Sequence, residues 1–178
     1  GGADDDSIRL SVNAYIGDLN GSSGAIYGDG GADTILIDDA SYIGNNGAAT
    51  VSGGADGDSI ALSNKAHLAF STDATAQIDG DAGADPITIV DSYVGRLGDA
   101  TVSGGDGADS ISLSVSSNLG YYAGGSGQVL GDAGDDTVTL DQTWVGYLGD
   151  GTISGGEDND LLTITGNVSN DFAGIAYQ

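Results

Sequence analysis

The chain has 178 residues, with 33 Gly, one Pro and no Cys, and its 27 acidic residues against three basic ones give a formal net charge of −24. Nucleic acid and anionic membrane are poor partners for such a chain, because both need basic surface. No apolar run reaches the roughly 18 residues of a membrane-spanning segment.

Regular apolar spacing separates the chain from disordered polyanions. Residues 1–6 are glycine, alanine and aspartate, suited to a tight turn. Residues 7–10 then alternate polar and apolar, with Ile8 and Leu10 on one face of a half-buried strand. The same unit restarts at Gly28, Gly53, Gly80, Gly104, Gly131 and Gly155, at spacings of 27, 25, 27, 24, 27 and 24 residues. Periods of this size point to a solenoid, whose coils bury one another's apolar faces.

The long coils carry Ile8, Leu10 and Val12, then Ile60 and Leu62, then Ile111, Leu113 and Val115 in their first strands. A second apolar group follows (Ala14 and Ile16, Ala66 and Leu68, or Leu119), and a short strand with Ile26, Ile78 or Val129 leads into the next turn. The short coils carry Ile35 and Ile37, Ile87 and Ile89, or Val138 and Leu140. Each then has an aromatic step at Tyr42, Tyr93 or Trp144 and a return strand with Val51, Val102 or Ile153. The extra residue of the first short coil falls near Asp38 and Asp39, where an insertion bulges outward. Pro86 opens a strand, a position that tolerates its missing N–H.

The expected fold is all-β: a parallel β-solenoid of about seven coils of 24–27 residues, with two or three strands per coil, forming one repeat domain over 1–178. A rival reading joins two coils into one wide turn with a metal edge on each side. The absence of an initiating Met, with residue 1 on the first turn position, and an end at Gln178 just before the next turn falls due lead us to expect a segment of a longer array.

Counting each unit from its first glycine, position 6 is Asp in all seven: Asp6, Asp33, Asp58, Asp85, Asp109, Asp136 and Asp160. Every unit holds a further acid, at position 3 or 4 in odd turns (Asp4, Asp56, Asp106, Glu157, Asp158) and at position 2 in even turns (Asp29, Asp81, Asp132). A hard cation such as calcium takes about six to eight oxygens from carboxylates and carbonyls together. Stacked turns, about 4.8 Å apart, bring two half-sets of such ligands together. Metal binding and folding are then one event. Metal-free Gly-Asp turns are the competing reading, since both residues favour turns anyway.

The turns resemble the repeats-in-toxin (RTX) nonapeptide of secreted hemolysins, proteases and giant adhesins, Gly-Gly-x-Gly-x-Asp-x-aliphatic-x, which residues 104–112 (GGDGADSIS) match in full. The resemblance covers the seven nonapeptides. It implies a β-roll-like solenoid with calcium between stacked coils, the position-6 Asp as side-chain ligand, and export followed by folding in extracellular calcium. In that family the repeats follow one another directly, whereas here each stands alone in its coil. One calcium in each of six inter-turn gaps would take the net charge from −24 to −12.

Other residues point to less. His67 is the single histidine, so no zinc site or His-based triad can be assembled, and it belongs on a solenoid face. Asp38, Asp39, Asp91 and Asp141 repeat at equivalent places and read as a corner or a second cation site rather than a glycosidase pair. The hydroxyl row Thr50, Thr101, Thr152, Ser52, Ser103 and Ser154 raises ice binding, but Tyr27, Asp79 and Leu130 interrupt it. The column Tyr42, Tyr93, Trp144 reads as an internal stack filling a corner, or, if exposed, as a platform for sugar rings.

No active site is expected. The leading reading is a secreted or surface-attached bacterial protein whose calcium-loaded repeats serve as a stiff stalk or spacer of an adhesin or matrix protein. A self-assembling filament or surface-layer subunit, with copies end to end, is the second. An accessory module of a secreted polysaccharide-modifying enzyme or protease, with polysaccharide as partner, is the third.

Overall fold

Alternating aliphatic residues cannot bury themselves within a single coil, so each strand finds its neighbour in the same strand one coil further on. The computed structural model describes residues 1–166 and the strand Ser169–Asn170, and among them there is no helix. Gln178 and the end of the chain lie outside the described residues. Each coil contributes three strands to three parallel sheets of seven, seven and six members. The chain is therefore a parallel β-solenoid of about six turns.

The first sheet starts with Ser7–Leu10 and pairs it with Thr34–Ile37, then Ser59–Leu62, in strict coil order. The second consists of two-residue strands such as Tyr42–Ile43 and Tyr93–Val94. The third holds eight-residue strands such as Ala48–Ala55 and Thr75–Ala82. Ile8 pairs with Ile35 and Ile35 with Ile60, so residues of one coil meet their counterparts in the next. That register rules out the reading in which two coils form one wide turn.

The core is a set of aliphatic columns along the axis. Ile35, Ile60, Ile87 and Ile111 form one, fully buried. Ile43, Leu68, Val94 and Leu119 come from the second sheet, and Val51, Ile78, Val102, Val129 and Ile153 from the third. Identical spacing lets like side chains stack, which is why Ile, Leu and Val interchange freely along a column.

Three sequence expectations change in detail. The strand leading into each turn is the longest of the coil, because positions 1–3 of the glycine unit continue the third sheet rather than turning. Long and short coils differ mainly at the corner between the second and third sheets. Six residues (17–22, 69–74, 120–125) connect the strands in odd coils and four (44–47, 95–98, 146–149) in even ones. The third change concerns the aromatic column, which is not internal. In Tyr42–Ile43 the isoleucine is buried and the tyrosine lies on the outer face, and Tyr93–Val94 and Trp144–Val145 repeat this.

The extra residue of the first short coil is where the spacing placed it. Asp39 and Ala40 are both left-handed (φ 53° and 56°), as are the pairs at the same corner of the long coils, whereas Asp91 and Gln142 stand alone in the other short coils. Asp38 turns inward and accepts from Arg9 at 2.7 Å, and Asp39 projects outward.

Candidate metal-binding edge

The strands of the third sheet deliver positions 1–3 of every turn to one edge of the solenoid, and the first sheet starts at position 7. Position 6 lies between them and faces inward. The backbone N–H of each position-6 Asp donates to Oδ1 of the position-6 Asp in the next coil. Asp6 donates to Asp33 and Asp33 to Asp58 at 2.7 Å, Asp58 to Asp85 at 2.6 Å, and Asp85 to Asp109 at 2.8 Å. Asp109 donates to Asp136 at 2.8 Å and Asp136 to Asp160 at 3.0 Å. All seven candidates thus form one column.

Asp33, Asp58, Asp85, Asp109 and Asp136 are 0–2% exposed, yet their second oxygen, Oδ2, has no hydrogen-bond donor. A buried carboxylate left half-satisfied is costly. Burial accordingly raises the pKa of Asp85 and Asp136 to about 6, and raises those of Asp58 and Asp109 in the same direction, with neighbouring aspartates adding to the effect.

The glycine at position 1 shows what Oδ2 faces. A Cβ placed on Gly53 would lie 2.5 Å from Oδ2 of Asp58 and 2.7 Å from the carbonyl oxygen of Gly80. At six of the seven position-1 glycines, a carboxylate Oδ2 and the position-1 carbonyl oxygen of the following coil both lie within 3 Å of where a Cβ would be, and only glycine leaves them room. Carboxylate and carbonyl oxygens are the donor set of a hard cation. Among the described residues no three acidic or histidine side chains converge, so backbone carbonyls would supply most of the ligands of such an ion.

The chain matches no protein-family model, no curated protein and no solved structure. The geometry of the edge therefore carries the functional reading.

The second acids lie outside the column. Asp29, Asp81 and Asp132 at position 2, with φ of 77°, 70° and 76°, occupy left-handed backbone where the odd turns use Gly54, Gly105 and Gly156. Asp56 and Asp158 do the same at position 4, both with φ 75°. Aspartate is among the few side chains that tolerate this region, so turn conformation is one reason for aspartate at these positions. Asp81 accepts the hydroxyl of Ser52, Asp132 accepts that of Ser103, and Asp4, Asp29, Asp56, Asp106 and Asp158 are exposed.

Sequence reasoning did not single out Asp5 and Asp135 at position 5. Each accepts the backbone N–H of position 5 in the next coil, from Ala32 at 2.9 Å and Asn159 at 3.0 Å. The doublets Asp5-Asp6 and Asp135-Asp136 were the available signal. In the sequence Asp79 marks only an interruption of the hydroxyl row. It accepts from the Asp81 N–H and from Ser103, and burial raises its pKa.

On the outer face of the second sheet, Tyr15, Tyr42, His67 and Tyr93 stack at 4.8, 4.8 and 4.9 Å, the repeat of the strands beneath them. Each ring covers the faces of its neighbours and leaves mainly edges outward, which disfavours a sugar-stacking platform. His67 does lie on a solenoid face, but Tyr42, Tyr93 and Phe70 enclose it. Burial, with Arg96 nearby, lowers its pKa to about 4.

Proposed function

We propose that the chain is a non-catalytic calcium-binding structural module, a stiff stalk or spacer of a secreted or surface-attached bacterial protein. The observation that carries this reading is the unbroken aspartate column, five members of which are buried with one oxygen unmatched. Oδ2 of the position-6 Asp and the position-1 carbonyl of the following coil would hold the ion, which supplies the positive charge these oxygens lack. The resemblance of the turns to RTX repeats supports the choice of calcium.

Each ion would join two successive coils, so loading the edge would stiffen the whole axis. Calorimetric titration of the metal-free chain with calcium, alongside circular dichroism in chelator and in calcium, tests the proposal. Several equivalents of heat-producing binding and a large rise in melting temperature are expected. An identical melt in chelator and in excess calcium, with no binding heat, would sink it.

A further inference from the structure

The corner between the second and third sheets alternates six-residue and four-residue connections, so the short corners 44–47 and 95–98 are each the floor of a recess between two long ones. The recess over 95–98 is filled by the chain itself. The guanidinium of Arg96 lies 4.3 Å from the ring centroid of Phe70, on the preceding long corner, and 4.8 Å from that of Tyr122 on the following one. Among the described residues Arg96 forms no ion pair, so the aromatic walls hold it.

The recess over 44–47 has the same backbone. The Asn45 carbonyl accepts the Ser71 N–H at 3.1 Å, as the Arg96 carbonyl accepts the Tyr122 N–H at 3.2 Å, so Asn45 stands where Arg96 stands. Its side chain is too short to fill the recess and instead donates to Asp18 at 2.7 Å. A cleft of about 200 Å³ is left open, against about 30 Å³ for one water in the liquid. Asp18 and Leu19 line one wall, Thr72 and Asp73 the other, and Asn46 lies between. No basic residue of this chain lines it.

We propose that this cleft binds a basic side chain, a guanidinium above all, presented by a partner polypeptide. The sister recess demonstrates that the space between two long corners takes such a group. Here the attraction of aromatic faces is replaced by a carboxylate on each wall and an amide between them. A planar guanidinium presents several donors in a fixed fork, which suits carboxylates on two walls better than a compact ammonium does. Leu19, 70% exposed at the rim, offers an apolar surface for the methylene stem.

The chain is acidic everywhere, so the test must separate local recognition from diffuse attraction. The probe is a fluorescent pentapeptide with one arginine between glycines, titrated into the full calcium-loaded chain at physiological salt and followed by anisotropy. Saturable 1:1 binding is expected, weakened at least about tenfold when citrulline replaces arginine. Asp18→Asn with Asp73→Asn should weaken it similarly. Asp99→Asn with Asp150→Asn makes the same charge change on the outer face of the third sheet and should change it less than about twofold.

Asn45→Arg should fill the recess from within and abolish binding while the melt stays unchanged. Absence of saturable binding, equal binding of the citrulline peptide as a neutral polar ligand would show, or equal losses in both aspartate pairs would overturn the proposal. The cleft is separate from the aspartate column, so its failure leaves the calcium reading standing, and a failed calcium titration leaves the cleft standing.

Discussion

The N–H of Asp58 donates to Oδ1 of Asp85 at 2.6 Å across the gap between two coils, while Oδ2 of Asp85 is buried without a donor. One carboxylate therefore does two things: it satisfies a backbone group of the neighbouring coil and leaves a negative oxygen for something else. Substitutions can separate the two roles.

Asp85→Ala removes both. The Asp58 N–H is left buried and unpaired, a cost of about 1–3 kcal/mol, and calcium-dependent stabilisation falls as well. Asp85→Asn retains the carbonyl acceptor and replaces the unmatched oxygen with an N–H donor. In chelator the Asn variant should melt at or above the wild-type temperature. In calcium it should melt below wild type if Asp85 is a ligand as proposed. Thermal melts in the two buffers check this, and parallel behaviour of the two substitutions would contradict it.

The pH dependence of the metal-free chain follows from the same burial. Asp85 and Asp136 rise from an ordinary 3.8 to about 6, and Asp58 and Asp109 move the same way. Between these values the folded state holds more protons than the unfolded one, so stability falls as pH rises. His67 acts oppositely: lowered from 6.5 to about 4, it removes stability as pH falls through that range. With Asp79 raised as well, five carboxylates stand against one imidazole, and the chain in chelator should melt higher at pH 5.0 than at pH 7.5. A lower melt at pH 5.0 would contradict the burial of these carboxylates.

His67 can be tested alone. Its ring continues the stack between Tyr42 and Tyr93, a place that a phenyl ring also fills. His67→Phe should keep the stack and remove the proton uptake on unfolding. Its gain in melting temperature over wild type should therefore be larger at pH 5.0 than at pH 7.5. An equal gain at both values would assign His67 a packing role only.

Two glycines should differ sharply. Gly53 has no positive φ and is glycine for want of space: a Cβ would meet the Asp58 carboxylate at 2.5 Å and the Gly80 carbonyl at 2.7 Å. Gly124 has φ 89° with nothing within 4 Å. Gly124→Ala should cost about 1–2 kcal/mol of backbone strain. Gly53→Ala should cost at least about 1–3 kcal/mol through overpacking and should also weaken calcium binding at that gap. Denaturant unfolding with a parallel calcium titration distinguishes them, since Gly124→Ala leaves the titration untouched.

What the amino-acid sequence determined by itself was the repeat. Asp at position 6 and an aliphatic residue at position 8 recur seven times at spacings of 24–27 residues, and stacking of like coils follows because no coil can bury its own apolar face. The turn edge and its aspartate column were legible for the same reason. Other features depended on the assembled coil. Tyr42–Ile43 is a two-residue strand whose side chains point to opposite faces, and nothing local says which face is inside. Asp29, Asp56, Asp81, Asp132 and Asp158 have left-handed φ angles, a backbone reason for aspartate that spacing alone does not reveal. Arg96 lies near Tyr93 in sequence, but its aromatic walls, Phe70 and Tyr122, come from the coils on either side. Periodicity reports which residues repeat, whereas which of them meet across coils is decided by corner lengths and by the face each short strand turns inward.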